Sequence, residues 1–338
     1  MKLDLMTGGL QLRTAQQLAR HAAESGHAGL VITEAGRTAY LSCAAAALAA
    51  DIDLLTGISV AFPRSPMVTA QIAWELADAT EGRFRLGLGT KFRAPIERRY
   101  VAAFDPPGPR IRDYIGAVRA CFDAFSGNSA LDYHSDHYEL TLLPAMWSPG
   151  PISAPEPPID LAAVNPWMLR LAGQIADGVH VHPLNTRTYL ADTVAGAKRA
   201  GRHLDHFETI APAFLVVGDT TDERDRWREL ARIQIAFYGS TPNYAFIFDD
   251  LGHPGTTAAI RDHQRAGDIA GMSAVITDDI LGHFITEGTW ATIADAIADR
   301  YAGLATRVVN YFGAIAWTED PQHLSRWKPV TRALADIP

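Results

Sequence analysis

The stretch that decides the fold of this chain covers residues 53–100 and reads DLLTGISVAFPRSPMVTAQIAWELADATEGRFRLGLGTKFRAPIERRY. Residues 54–61 form an apolar, β-branched run without alternation, which is typical of a strand buried on both faces in a parallel sheet. Ser65 and Pro66 follow as an N-cap and a first-turn proline, so a helix should begin there. Residues 83–89 then predict a second strand. The stretch therefore predicts two parallel strands joined by a helix.

The same alternation of strand and helix continues along the rest of the chain. Further strands are predicted at residues 2–7, 28–34, 159–164, 178–182, 210–217 and 307–312. The intervening segments carry helix starts, among them a capping box formed by Thr14 and Gln17, and Asn165 followed by Pro166. Eight such alternations predict a TIM-type (β/α)₈ barrel, with a doubly wound sheet as the alternative.

Two segments, residues 128–158 and 240–256, interrupt this alternation. The first predicts a short hairpin followed by a proline-rich connector, and the second is rich in aromatic and turn residues. Both exceed the usual length of a connection, which favours functional insertions. Because α/β barrels of this length commonly form one unit, residues 1–338 are predicted to be a single domain. Both insertions are expected over the carboxyl-terminal face of the barrel.

The composition excludes several classes of protein. Of the 338 residues, 48% are hydrophobic and 20% are charged, which allows a sizeable core, and the net charge of −8 argues against a general nucleic-acid binder. Cys43 and Cys121 fall in predicted helices and form no metal or redox motif. The chain enters a strand within two residues, which leaves no room for a signal peptide, and its most apolar helix is too short to span a bilayer. We therefore expect a cytoplasmic protein with no nucleic-acid and no membrane partner.

In a barrel of this type the ligand site lies at the carboxyl ends of the strands, so the residues there are the candidates for chemistry. Glu34 ends the second predicted strand and is an acid–base candidate, with helix capping or an ion pair as the alternative. Ser59 and Val60 end the third strand and would approach a flat ligand, although simple packing also explains Val60. Gly89 permits either close approach by a ligand or close packing.

Charged and capping residues follow the fourth and fifth strands. Lys91, Arg93, Arg98 and Arg99 form either a solvated surface or an anion-binding loop. Asn165 begins a helix directly after the fifth strand, where unpaired N–H groups can bind a phosphate, and capping alone explains Asn165 equally well.

Two histidines, His180 and His182, share one face of the sixth predicted strand. A metal site would need a third ligand, and none stands at a recognisable spacing, so we expect no metal and a hydrogen-bonding role for His182. The sequence also lacks a G-x-G-x-x-G before a helix, a P-loop and a nucleophile elbow, which argues against Rossmann, NTPase and hydrolase functions.

Taken together, three motifs resemble those of the luciferase-like (bacterial luciferase superfamily) flavin and deazaflavin oxidoreductases, specifically their coenzyme F420-dependent branch. The motifs are TGISVAFPRSPMVTAQIAWELA, GRFRLGLGT and LAGQIADGVHVH. The resemblance covers most of the chain and implies a TIM barrel with the flavin or deazaflavin ring in its mouth, and a homodimer. It also implies a non-prolyl cis peptide in the third strand, which matches the bond Ser59–Val60.

The resemblance further implies a set of cofactor-binding residues. Those beside the ring and the cofactor side chain are Ser59, Val60, Gly89, Thr90 and Lys91, and those that hold the cofactor phosphate are Val164, Asn165, Gly178, Val179 and His182. Some F420-dependent sugar-phosphate dehydrogenases of the family carry an Asp-His pair after strand two and a Glu after strand four. Here those positions hold Glu34-Ala35 and Lys91-Phe92, which argues against that particular reaction.

The resemblance thus implies an oxidoreductase that passes hydride between F420 and a small organic substrate, and we expect Glu34 to act in proton transfer or in hydrogen bonding to the ring edge. An apolar lid is expected from Tyr133, Tyr138, Tyr244, Phe246 and Phe248. Two alternatives stay open, an FMN-dependent monooxygenase and a flavin-binding barrel without turnover.

Overall fold

Eight parallel strands close into a barrel in this computed structural model, which describes residues 1–200 and 206–337. The strands are β1 Lys2–Gly8, β2 Gly29–Thr33, β3 Asp53–Thr56, β4 Phe84–Gly89, β5 Ile159–Ala162, β6 Gly178–His180, β7 Glu208–Val217 and β8 Arg307–Asn310. Each strand pairs in parallel with its neighbours in chain order, and β8 pairs with β1 to complete the ring. The predicted TIM barrel is confirmed.

Helices connect and surround these strands. The α-helices are Leu12–Glu24, Ala39–Ala47, Pro66–Ala79, Arg93–Arg99, Pro107–Phe125, Pro166–Ile175, Arg187–Arg199, Thr221–Gly239, Ala245–Asp250, Thr256–Arg265, Ile269–Ala274, Asp278–Gly282, Ile293–Tyr301, Gly313–Glu319 and Lys328–Ala335. Short 3₁₀ segments occupy Ala145–Trp147, Pro242–Tyr244 and Pro321–Trp327. Within the described residues, no helix has the length and apolar character needed to cross a membrane.

Two of the helix starts predicted by capping residues, at Ser65 and Asn165, are confirmed. The Ser65 hydroxyl accepts from the Val68 amide at 3.2 Å, and the Asn165 side chain accepts from the Met168 amide at 2.9 Å. The capping box at Thr14 is wrong, because the first helix begins earlier, at Leu12, and Thr14 lies inside it. Gly201, which the sequence predicts to end the helix Arg187–Arg199, lies outside the described residues.

The third strand differs from its prediction. Residues 54–61 do not form one strand, because β3 ends at Thr56 and a separate short strand, Ser59–Val60, pairs with β4. The non-prolyl cis peptide lies at Gly57–Ile58 and not at Ser59–Val60. A larger residue does not fit at position 57, because a Cβ at Gly57 would lie 2.1 Å from Cγ1 of Val31. The residues that flank the break, Thr56 and Ser59, are as buried as the apolar residues around them, so burial does not mark its position.

The first insertion, residues 128–158, lies along the outside of the barrel and not over its carboxyl-terminal face. The Tyr133 hydroxyl donates to the Asp113 carbonyl at 2.9 Å, and the Trp74 indole N–H donates to the Gly150 carbonyl at 2.9 Å. Asp113 and Trp74 belong to the outer helices that flank β4. The segment connects the end of a helix to the start of β5, and such connections lie at the amino-terminal end of a barrel.

The long segment between β7 and β8 builds a second core above the barrel. Residues 210–213 of β7 pair with β8, whereas residues 214–217 extend further and pair with another strand, Ile285–Gly288. Phe248 and Phe284 meet in this second core with ring centroids 5.8 Å apart. The sequence does not predict the strand Ile285–Gly288, which is short and only partly buried. The second insertion, residues 240–256, is part of this layer.

Closure of the barrel rests on a buried ion pair between its first and last strands. The Arg307 guanidinium donates to both carboxylate oxygens of Asp4 at 2.7 and 2.8 Å, and to Asp53 on β3 at 2.9 Å. Arg307 and Asp4 are fully buried, and the two carboxylates raise the pKa of Arg307 although burial acts in the other direction. Gly29 leaves the room for them, since a Cβ there would lie 2.8 Å from each partner.

Removing one partner of this ion pair should reduce the free energy of unfolding more than removing both partners. Arg307→Met leaves the Asp4 carboxylate buried without its cation, and we expect a loss of about 3–5 kcal/mol in the free energy of unfolding, measured with urea. The double variant Asp4→Val/Arg307→Met should lose less. As a control, Lys2→Met removes an exposed partner of Asp53 and should cost about 1 kcal/mol or less. A double variant as unstable as Arg307→Met would contradict this account.

Stability should fall in acid, in part because His27 is buried as the neutral base. Burial lowers the pKa of His27 to about 4 from its ordinary value of 6.5. The folded state therefore binds no proton in the window where the unfolded chain does, so stability is full above pH 6.5 and declines as the pH falls towards 4. We expect His27→Gln to flatten this decline by about 1.4 kcal/mol per pH unit at most. An unchanged slope in His27→Gln relative to the wild type would overturn the assignment.

Candidate active site

A cavity of about 680 Å³ opens beyond the carboxyl ends of β4 and β5. Four residues predicted to bind the cofactor line it, and they are Thr90, Lys91, Val164 and Asn165. Its volume lies within the usual range for small-molecule sites. The structure therefore brings part of the predicted set together at the end of the barrel where ligands bind.

Positive charge gathers at the rim of this cavity, on the loop after β4. Lys91 has a left-handed backbone with φ of 58°, and the helix Arg93–Arg99 follows it. The sequence does not predict this helix, because it is a short charged run interrupted by a proline. Desolvation and the nearby Arg99 guanidinium both lower the pKa of Lys91. Cations held this close favour an anion between them.

The helix Pro166–Ile175 points its amino-terminal end at the same cavity. The Asn165 side chain caps this helix through the Met168 amide, so the capping role that the sequence left open is confirmed. Trp167 lines the cavity from the first turn. Gly108 makes room for the indole, since a Cβ there would lie 2.3 Å from it. This helix end supplies a favourable potential for an anion.

His182 lies just beyond the end of β6 as a buried, uncharged side chain. Its Nδ1 accepts from the Leu184 amide at 3.1 Å, which places the proton on Nε2. Burial lowers the pKa of His182 to about 3, so the ring carries no charge near neutral pH. The ring centroid lies 4.4 Å from that of Tyr244, which lines the cavity. The ring thus takes part in a hydrogen bond within its own loop, and its role towards a ligand stays a prediction.

A chain of phenol groups next to His182 was missed by the sequence reasoning. The Tyr238 ring lies 4.8 Å from His182, and its hydroxyl lies 2.7 Å from the Tyr311 hydroxyl. Tyr311 in turn donates to the Gln234 side chain at 3.0 Å. Tyr311 has one proton, so Tyr238 donates to Tyr311. The position of Tyr311 directly after β8 was the available signal, whereas Tyr238 comes from a helix whose path only the tertiary structure reveals.

Glu34 is engaged in an ion pair at the end of β2. One carboxylate oxygen accepts from the Val60 amide at 2.8 Å and from Arg64 Nη1 at 3.1 Å, and the other accepts from Arg64 Nη2. The Arg64 guanidinium also lies over the Tyr40 ring, 5.1 Å from its centroid. The ion-pair alternative for Glu34 is thus what the structure contains. Both oxygens are occupied, which leaves the carboxylate poorly placed to take a proton.

Ser59, Val60 and Gly89, which the resemblance implies lie beside the ring, are not among the residues that line the cavity. Ser59 and Val60 are buried beside the Glu34 pair. At Gly89 a Cβ would lie 2.7 Å from the Ile58 side chain, so close packing accounts for this glycine. Ser59 and Val60 pair with Leu88 and Gly89 of β4.

Gly178 and Val179 are not brought to the cavity. Gly178 begins β6, where a Cβ would lie 2.4 Å from an oxygen of the buried Asp160 carboxylate, which is itself paired with Arg85 at 2.9 Å. A carboxylate at that position would repel a phosphate. The motif GVHVH therefore reaches the site only through its final histidine, because the strand carries its first residues to the other end of the barrel.

The residues expected to form a lid are divided among four places. Tyr244 lines the cavity, and Phe246 lines an adjoining one that shares Val164. Phe248 is buried in the second core. Tyr133 and Tyr138 lie against the outer helix Pro107–Phe125, so their assignment to a lid is wrong. The reason is the path of the first insertion along the outside of the barrel.

The model of the luciferase-like monooxygenase family matches residues 2–307. The chain therefore belongs to this family, whose members are oxidoreductases, and the resemblance found in the three motifs is confirmed.

Proteins of similar sequence include an uncharacterized protein and a reductase. An uncharacterized protein of Mycobacterium tuberculosis, Rv1360, is 32% identical over 268 residues, which cover 78% of this chain and 79% of the relative. A 5,10-methylenetetrahydromethanopterin reductase of Archaeoglobus fulgidus is 26% identical over 265 residues and 76% of each chain.

Solved structures support the fold. A coenzyme F420-dependent tetrahydromethanopterin reductase from Methanopyrus kandleri superposes with a TM-score of 0.73 at 19% identity, over 99% of this chain and 98% of that one. An EDTA monooxygenase from Chelativorans sp. BNC1 superposes with a TM-score of 0.68 at 14% identity, over 100% of this chain and 95% of that one. Both reductases and monooxygenases thus share this barrel.

Replacing Glu34 separates a positioning role from proton transfer. Glu34→Gln leaves the partly buried Arg64 guanidinium with a neutral partner, and we expect a loss of about 2 kcal/mol in unfolding free energy. Glu97→Gln is the control, because it removes a partner of Arg93 that is exposed, and it should change stability little. Wild-type stability in Glu34→Gln together with abolished turnover would contradict the positioning role and support acid–base catalysis.

Proposed function

We propose that this protein is an F420-dependent oxidoreductase that transfers hydride between the deazaflavin and a small organic substrate. The main support for this proposal is the cavity beyond β4 and β5, which has basic residues at its rim and a helix amino terminus in its wall. The tetrahydromethanopterin reductases among its relatives and structural neighbours support the choice of cofactor. The resemblance of the three motifs to the F420-dependent branch agrees with it.

The charges at the rim fit an anionic cofactor. In the part of the chain that the structure describes, Arg98 and Arg99 are exposed and form no ion pair, and Lys91 lies close to Arg99. Arg93 differs, because it pairs with Glu97 at 3.1 Å and with Asp105. Lys91, Arg98 and Arg99 are therefore our candidates for the cofactor phosphate and its acidic tail.

The chain would bind and orient, and the cofactor would supply the hydride chemistry. We assign Ser59, Val60 and Gly89 to the packed backbone that supports the loop with Thr90 and Lys91, and Glu34 to holding Arg64 and the Val60 amide in place. His182 would donate through Nε2–H to an acceptor on the cofactor, and its neutral state makes it a donor without a charge. Tyr244 would cover the cavity and reduce access of water.

A direct titration tests the cofactor. The purified protein, freed of bound cofactor, is titrated with F420 and with FMN while ligand fluorescence is followed. We expect F420 to bind at least about tenfold more tightly, a difference of about 1.4 kcal/mol. Clear preference for FMN would overturn the proposal. It would favour the FMN-dependent monooxygenase, the second candidate, which the EDTA monooxygenase neighbour also supports.

Substitutions of the basic residues should distinguish cations that are free to bind the cofactor from a cation that is already paired with acidic side chains. Lys91→Ala and Arg99→Ala are each expected to weaken F420 binding by about tenfold, and the loss should shrink as salt is raised. Arg93→Ala is the matched control, since Arg93 also lines the cavity but its charge is balanced by Glu97 and Asp105. An equal loss in all three variants would contradict this distinction.

Turnover and assembly need separate tests. Reduction of bound F420 by members of a broad alcohol and aldehyde panel would support an enzyme, whereas binding without any hydride exchange would favour the non-catalytic alternative. The homodimer stays a prediction from the resemblance, and sedimentation equilibrium of the full chain tests it.

A further inference from the structure

Two histidines and an aspartate converge in the second layer, away from the cavity described above. His253 follows the helix Ala245–Asp250, Asp279 lies in the first turn of the helix Asp278–Gly282, and His283 is the residue after that helix. Each offers one possible ligand atom, and these atoms all lie within 4.8 Å of one another. We propose that His253, Asp279 and His283 bind a divalent transition-metal ion, with Zn²⁺ as the best match.

The distances favour a shared ion over an ordinary hydrogen bond. His253 Nε2 and the Asp279 carboxylate lie 3.4 Å apart, which is long for an N–H···O bond. Two ligand atoms bonded at about 2.1 Å to a tetrahedral centre lie about 3.4 Å apart, so this pair already has the separation that a zinc site requires. The ring centroids of His253 and His283 lie 5.6 Å apart at 65°.

Helix geometry places the other two ligands on one side. Asp279 and His283 are four residues apart, and His283 continues the helical backbone with φ of −66° and ψ of −26°. Residues at this spacing face the same way, so both side chains point towards His253. This i, i+4 spacing was the signal in the sequence, but the third ligand lies 26 residues before Asp279 and only the fold brings it near.

The ligand types define the class of ion. Two imidazoles and one carboxylate suit Zn²⁺, Co²⁺ or Ni²⁺, with water in the remaining position, whereas Mg²⁺ and Ca²⁺ prefer more oxygen ligands. Among the described residues, the ring nitrogens of His253 and His283 have no hydrogen-bond partner, so nothing competes for them. The Asp279 side chain is 80% exposed, which leaves it free to rotate onto the ion.

The proposed role is structural. None of the three residues lines the cavity at β4 and β5. However, the helix Ala245–Asp250 connects His253 to Tyr244, which packs on His182 in the cavity wall. An ion at this site would join that segment to the helix Asp278–Gly282. It would thus stabilise the layer that holds Tyr244.

The test uses the full chain without a histidine tag, treated with EDTA and exchanged into metal-free buffer. Titration with Zn²⁺ by calorimetry should show about one saturable site per chain, and Zn²⁺ should raise the unfolding temperature while Mg²⁺ does not. Co²⁺ should give the visible absorption of a low-symmetry site with nitrogen and oxygen ligands.

Variants assign the ligands. His253→Ala and His283→Ala should each weaken Zn²⁺ binding at least about tenfold and abolish the rise in unfolding temperature. Asp279→Asn, at an exposed position, keeps the test valid if a histidine variant folds poorly by circular dichroism. His263→Ala is the matched control, because His263 lies in the same layer and forms an ordinary 2.9 Å hydrogen bond with Asp268. The proposal is overturned if the wild type shows no saturable Zn²⁺ binding, or if the three ligand variants bind as the wild type does.

Discussion

The buried pair of Arg307 with Asp4 is the interaction on which the rest of the molecule depends. It joins the last strand of the barrel to the first, and a further hydrogen bond to Asp53 includes β3. A closed barrel has no exposed sheet edge, but closure requires the two ends of the chain to meet in register. A fixed charge pair, satisfied by several hydrogen bonds, specifies that meeting more narrowly than apolar packing does.

The buried ion pairs lie at one end of the barrel, and the candidate site lies at the other. Arg307, Asp4 and Asp53 lie near the amino-terminal ends of their strands, and Asp160 with Arg85 forms a second ion pair inside the structure. The carboxyl-terminal ends are left to loops, which carry Lys91, Asn165 and His182. Loops held by a rigid barrel can differ in sequence without loss of the fold, as the low identities of the structural neighbours illustrate.

The layer between β7 and β8 contributes as much to the site as the barrel does. It presents Tyr238 and Tyr244 to His182, and the proposed metal ligands lie in the same layer. Its own core, with Phe248 and Phe284, keeps the aromatic residues in place. A barrel alone would leave His182 open to water, and this second layer is what buries it and holds it neutral.

The sequence by itself determined the features that depend on neighbouring residues. The strand–helix alternation, the caps at Ser65 and Asn165 and the family motifs are local patterns, and they led to the barrel and to Thr90, Lys91, Val164 and Asn165 at its mouth. Only the tertiary structure decided features that depend on distant ones. It placed the cis peptide at Gly57–Ile58, where Val31 sets the space, and it paired Glu34 with Arg64. Likewise, His253 meets Asp279 only after folding, because contacts between residues far apart in the chain leave no periodic trace in the sequence.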